Sequence, residues 1–141
     1  MHVLDTINAT GHSNIRCTHT STIELTKENY LTERGTCILG INANKACIDL
    51  SPVLKSKIIN GEKIKVFIKT ENFSDSFYGY GNKNLTLTSN IDMVFRKSNY
   101  RCGRTVLINC TKSSNELNKE LIAELTNSDV KLTTIFYIED I

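Results

Sequence analysis

The chain nearly repeats itself after 70 residues. Laid against itself at that offset, Asp5 meets Asp75, Gly11 meets Gly81, Asn14 meets Asn84 and Thr18 meets Thr88. Lys27, Asn29, Tyr30 and Arg34 then meet Lys97, Asn99, Tyr100 and Arg104. Eight identities fall in thirty ungapped positions, where chance pairing gives roughly two. Apolar positions agree as well: Ile7 with Phe77, Ile15 with Leu85, Ile23 with Met93, Leu25 with Phe95. At a shorter offset of 67 the match resumes, with Ile41 and Asn42 on Ile108 and Asn109, and Lys45 on Lys112. Leu50, Leu54 and Ile58 then meet Leu117, Leu121 and Leu125. A single domain, 1–141, built from two repeats, 1–70 and 71–141, and related by a pseudo-twofold axis is the expectation.

Each half reads in the same order. A strand comes first (3–10; 73–80), and the turns GHSNI and GNKNL follow, where glycine suits a positive φ. Alternating β-branched and apolar residues predict a second strand over 17–26 and over 86–96. A short apolar strand, CILGI or VLI, comes next. In the second half Ser113 and Glu116 have capping-box spacing, and Leu117, Leu121 and Leu125 share one helical face. In the first half Ser51 and Pro52 predict a cap and first turn, and hence a short helix, 52–59, stopped at Gly61. A last strand closes each half, 63–69 and 132–138. Eight strands and two short helices imply a mainly β domain. We expect an antiparallel sandwich in which hairpins join most strands and the helices lie at the ends.

Bulk composition narrows the function classes. The 141 residues fit one core, and 40% apolar with 23% charged is ordinary globular composition. Seventeen basic against fifteen acidic residues leave +2, too little for a general nucleic-acid coat. The N-terminus has no charged start followed by an apolar run, and no window approaches the ~18 apolar residues of a span. A cytoplasmic protein without a membrane partner is expected. Five cysteines, an odd number without CxxC, argue against a disulfide framework.

Two constellations stand out. The segment MVFRKSNYRCGRT carries Arg96, Lys97, Arg101 and Arg104 around Tyr100, with no acid among them. Arg forks pair bidentately with phosphate or carboxylate, and a tyrosine ring stacks on a base. Gly103 would let backbone approach a ligand. Arg34, matched to Arg104 at the 70-residue offset, points instead to a structural role for Arg104. The second constellation is His12, Asn14 and His19, near the first turn. Half two has Asn82 and Ser89 in place of the histidines, and asymmetry between copies marks a place where function is gained or lost. The bland reading is two half-exposed imidazoles bonded to turn backbone. The spacing is not that of a zinc site, and neither a metal nor a cofactor is expected. Lys45 and Lys112, at helix starts, are weaker anion candidates. Cys37 reads as a buried, inert thiol, and Asp92 is the one acid placed to act as a base.

The blocks GHSNIRCTHTSTIELT, LTERGTCILGINANKACIDL and GNKNLTLTSNIDMVFRKSNYRCGRT resemble a small archaeal family of conserved proteins described as a domain of unknown function. The resemblance covers nearly the whole chain. It implies a jelly-roll β-sandwich and carries no activity to transfer. Thr36 stands where the family pattern implies Asp, and Ser13 where it implies Pro. The functional expectation is a binding module for a phosphate-bearing ligand, whether RNA, nucleotide or phosphorylated metabolite, gripped by the basic loop. The alternatives are a small enzyme using a His12/His19 face in the cleft between repeats, or a protein-interaction subunit.

Overall fold

The computed structural model describes residues 2–139. Eight strands and two α-helices occur among them. Half one runs β1 (His2–Thr10), β2 (Thr22–Thr26), β3 (Ile38–Gly40), a 3-10 turn (Cys47–Asp49), α1 (Pro52–Ile59) and β4 (Lys63–Lys69). Half two runs β5 (Ser74–Tyr80), β6 (Asp92–Arg96), β7 (Thr105–Leu107), a 3-10 turn (Ser114–Glu116), α2 (Lys119–Glu124) and β8 (Lys131–Ile138).

The strands form two open four-stranded sheets, in orders β1-β8-β4-β5 and β3-β2-β6-β7. The first strand of each half therefore pairs with the last strand of the other half, so the halves interlock. Alternation explains the layering. Along β4, Ile64, Val66 and Ile68 are buried while Lys63 and Lys69 are exposed. Phe95 of the second sheet meets Phe77 edge-on at 5.5 Å and stacks on Phe136 at 5.8 Å, both from the first sheet. These rings fix the two sheets face to face.

The mainly β sandwich matches expectation, with three differences. The second sheet is mixed rather than antiparallel, because β3 runs parallel to β2 and β7 parallel to β6. Most consecutive strands also change sheet, and β4–β5 is the pair that forms a direct hairpin.

The second difference is length. The second strands begin at Thr22 and Asp92, not at 17 and 86. Cys17 and Leu87 both take φ 51°, which breaks an extended run. Thr18 and His19 then donate their N–H groups to the Thr36 carbonyl at 3.0 and 3.3 Å instead of to a strand.

The third is the second helix. The Ser113/Glu116 capping box closes a 3-10 turn, and α2 starts afresh at Asn118, whose side chain accepts from Glu120 and Leu121 N–H. In half one α1 begins at Ser51 and Pro52 and gives way at Gly61, which takes φ 77°, as the sequence implies.

Gly11 and Gly81 serve close packing rather than a positive φ. A Cβ on Gly11 would lie 2.3 Å from the Leu125 carbonyl oxygen, and one on Gly81 would lie 1.9 Å from that of Ile58. Each glycine thus seats the helix end of the opposite half.

Candidate functional site

The polar groups that occur at matching places in both halves are tied up in the scaffold. Asp5 accepts from Lys45 Nζ at 2.7 Å and from Ser51 N–H at 2.8 Å. Asp75 accepts likewise from Lys112 Nζ at 2.6 Å and from Asn118 N–H at 2.8 Å. Each helix N-terminus therefore carries an internal carboxylate, with the lysine spent on the same group. Lys45 and Lys112 are thereby removed as anion sites.

Lys97 joins Glu116 at 2.7 Å just as Lys27 joins Asp49 at 2.6 Å. The Lys97 ammonium, followed by hydrogen bonds from Ser113, pulls the Glu116 carboxyl down to about 2. Lys97 is accordingly the second half's version of a structural pair.

The histidines are also turn elements. His12 Nδ1 accepts the Asn14 N–H at 2.9 Å, and Asn82 Oδ1 accepts the Asn84 N–H at 2.9 Å. His19 Nδ1 accepts from Ser21 and Thr22 N–H, both at 3.2 Å, while Ser89 Oγ accepts from Ile91 and Asp92 N–H. Asn14 donates to the Leu31 carbonyl at 2.7 Å. Half two thus fills the same acceptor roles with other residues. Among the described residues no hydrogen bond joins one imidazole to the other, to Cys17 or to Cys37.

The remaining basic residues gather on the outer side of the second sheet. Arg96, at the end of β6, donates from Nε to Thr105 Oγ1 at 2.8 Å and reaches Cys102 Sγ at 3.5 Å. Its guanidinium lies 4.8 Å from the centroid of the Tyr100 ring, which is 59% exposed. Arg101 is exposed and has no ion-pair partner among the described residues. Arg104 crosses β6 to stand 3.6 Å from both Glu24 Oε1 and Asp92 Oδ2. Gly103 serves packing. A Cβ there would meet Thr88 Oγ1 at 2.5 Å, and its carbonyl accepts from Thr88 and Ser89 N–H.

Backbone register corrects one inference drawn from the repeat. Glu24 N–H bonds to the Cys37 carbonyl, and Val94 N–H bonds to that of Arg104. Ile38 pairs beside Glu24 and Thr105 beside Val94. Arg104 therefore corresponds to Cys37, and Arg34 corresponds to Arg101. Arg104 is thus not the counterpart of Arg34, because the second loop is three residues shorter before this point.

Two groups at this cluster went unnoticed in the sequence reading. Glu24 lies on the middle strand β2 and is buried. Burial, with Asp92 nearby, pushes its carboxyl up to about 7 against the opposing pull of Arg104 and Arg96. Cys102 goes the other way. Burial resists the change, but hydrogen bonds from Thr105, the Arg104 backbone and Arg96 bring its thiol down to about 7. Burial pushes Cys17, Cys47 and Cys110 up to about 12, and raises Cys37 as well. Asp92 Oδ1 is buried without a hydrogen-bond partner. The Arg-Cys-Gly-Arg run was the signal for Cys102. A lone Glu inside TIELT gave none, since alternation reads it as solvent-facing. Among the described residues no group of three or more His, Cys, Asp or Glu is placed to hold a metal.

All five cysteines are free thiols, and no helix is long and apolar enough to cross a membrane among the described residues. Comparison with known proteins adds kinship. The chain is 47% identical over 119 residues to the uncharacterized protein MJ0206 of Methanocaldococcus jannaschii, covering 84% of this chain and 88% of that relative. A family model described as a domain of unknown function, DUF371, matches residues 7–139. With nearly its whole length inside that match, the chain belongs to the DUF371 family.

Proposed function

We propose that this protein is a binding module for a phosphate-bearing ligand, held where Arg96, Tyr100 and Arg101 meet. One arrangement carries the reading. The Tyr100 ring is backed by the Arg96 guanidinium at 4.8 Å while 59% of the residue stays exposed, and the next residue is the unpaired Arg101. A ring held in this way stacks on a base, and the adjacent fork pairs with a phosphate. Lys97 and Arg104 take supporting places in internal ion pairs.

Calorimetric titration with inorganic phosphate and with nucleoside monophosphates tests this. Tyr100→Ala is expected to weaken nucleotide binding but spare phosphate, and Arg101→Ala to weaken both by roughly tenfold. Equal affinities for wild type and both variants would remove the proposal.

A second reading, a small enzyme, is favoured by one contact set. Arg104 stands beside both Glu24 and Cys102, the two groups brought to about 7. This pair supports chemistry better than a His12/His19 face, whose rings already serve their turns. Alkylation followed by mass spectrometry should label Cys102 first, with a rate midpoint near pH 7 that rises in Arg96→Ala. Labelling of all five thiols at one rate would end this reading. We also infer a cytoplasmic setting, where five thiols stay reduced. The shared order of elements supports descent of the two halves from one duplicated unit.

A further inference from the structure

The first sheet turns one face to the core and the other outward, where Tyr137 is buried among its neighbours and Lys65, Phe67 and Tyr78 are half-buried. Along β4, Lys63, Lys65, Phe67 and Lys69 alternate with the buried Ile64, Val66 and Ile68. Along β8, Lys131, Thr133, Ile135 and Tyr137 share the outward side, opposite Leu132, Thr134 and Phe136. On β5, Ser76 and Tyr78 face out while Phe77 and Gly79 face in. Register then brings the outward residues together. Lys65 lies opposite Tyr78 on one side and Tyr137 on the other, and Phe67 lies between Ser76 and Ile135.

The result is a checkerboard of cations and rings. Lys63 Nζ lies 4.4 Å from the Tyr78 centroid, and Lys65 Nζ lies 5.3 Å from Tyr78 and 5.7 Å from Tyr137. Glu139 takes Lys65 and the Tyr78 hydroxyl, each at 3.0 Å. Lys63, Lys69 and Lys131 have no carboxylate partner among the described residues. Next to Lys131 and Thr133 a hollow of about 450 Å3 opens, lined also by Asn8, Thr10, Asn42 and Asn44. Asn and Thr side chains edge it, together with Ala9, while most of its exposed surface is carbon.

We propose that this outward face binds single-stranded RNA. The lysines supply an electrostatic track for a phosphate backbone, and Phe67 supplies a flat surface for an unstacked base, joined by the Tyr78 ring where Lys63 moves from it onto a phosphate. The Asn and Thr groups beside Lys131 match base edges and the 2′-hydroxyl. A duplex does not present free base faces to such a surface. An acidic peptide would leave the rings without a stacking partner. The surface belongs to the sheet opposite the Arg96–Arg101 site, so this inference goes beyond that reading and does not depend on it.

The test is fluorescence anisotropy of the full chain with a labelled oligouridylate of about twelve nucleotides across a salt series. Wild type should bind, with affinity falling as salt rises. Lys69→Glu combined with Lys131→Glu should weaken binding at least tenfold and flatten the log–log salt slope by about 1.4, that is, about 0.7 for each lost cation. Tyr78→Ala should weaken it roughly tenfold. Arg16→Ala, which removes a cation paired with Glu33 outside this sheet, should stay within about twofold of wild type. The proposal is overturned if wild type ignores the oligonucleotide at low salt, or if the double lysine variant binds unchanged. It is equally overturned if duplex RNA or vesicles of anionic lipid compete as well as single strands do.

Discussion

The two halves of this molecule agree at some polar contacts and part company at others, and the division separates scaffold from site. Asp5 and Asp75 each hold a lysine and a helix start at matching places. Gly11 and Gly81 each seat the helix end of the other half, and Lys27–Asp49 recurs as Lys97–Glu116. The outer cluster on the second sheet behaves differently. Glu24 faces a counterpart in Val94, Arg104 in Cys37, Asp92 in Thr22 and Arg96 in Thr26, as strand register requires. None of these substitutions preserves the group. The likeness of the halves therefore acts as a control built into one chain: the contacts they share support the fold, and the proposed site lies where they differ.

The comparison breaks most readily at the glycines. Gly81→Ala and Gly11→Ala each press a methyl into a backbone carbonyl, so each should cost about 3 kcal/mol in denaturant unfolding. A neutral outcome at either position would remove that contact from the shared scaffold. The aspartates come next. Asp5→Asn and Asp75→Asn should cost about 2 kcal/mol apiece, since each leaves a lysine and a helix N–H short of a charged acceptor. A large cost at one and none at the other would show that the halves do not share this support.

Glu24 sharpens the contrast through pH. Its folded carboxyl sits at about 7, above the ordinary 4.5. Its contribution to stability is thus complete below pH 4.5 and is lost as pH climbs through 7. Glu24→Gln should gain a few degrees of Tm relative to wild type between pH 5 and pH 8. A gap that does not change with pH would mean the carboxyl is not held up. The smallest effect belongs to the histidines. His12→Asn and His19→Ser install what half two already uses, and should change stability by less than about 0.5 kcal/mol. A larger loss in thermal melts would give the imidazoles a role beyond their turns.

Most of the scaffold was legible because it is local. Ser51–Pro52 and Gly61 delimit α1, and KIKVFIK alternates cleanly into β4. The misreadings were non-local. Nothing in TxTxIxL reveals that Cys17 adopts a left-handed φ, or that Thr36 takes the N–H groups a longer strand would have used. The Ser113 box was real but closed a 3-10 turn, because Asn118 offered a second cap five residues later. At the site, the basic cluster was visible as composition, whereas its partners were not. Glu24 and Asp92 reach Arg104 through sheet pairing, and the three-residue gap between the loops hid which arginines correspond. The lysine face of the first sheet was invisible for the same reason: its members come from β4, β5 and β8 and meet only in register.

The proposed site puts a ligand role in the second loop and none in its counterpart. Amide chemical-shift mapping during titration with a nucleoside monophosphate tests this most directly. Perturbations confined to residues 96–105, with 26–38 unmoved, are the expected result. Equal shifts in both loops, or none in either, would contradict it.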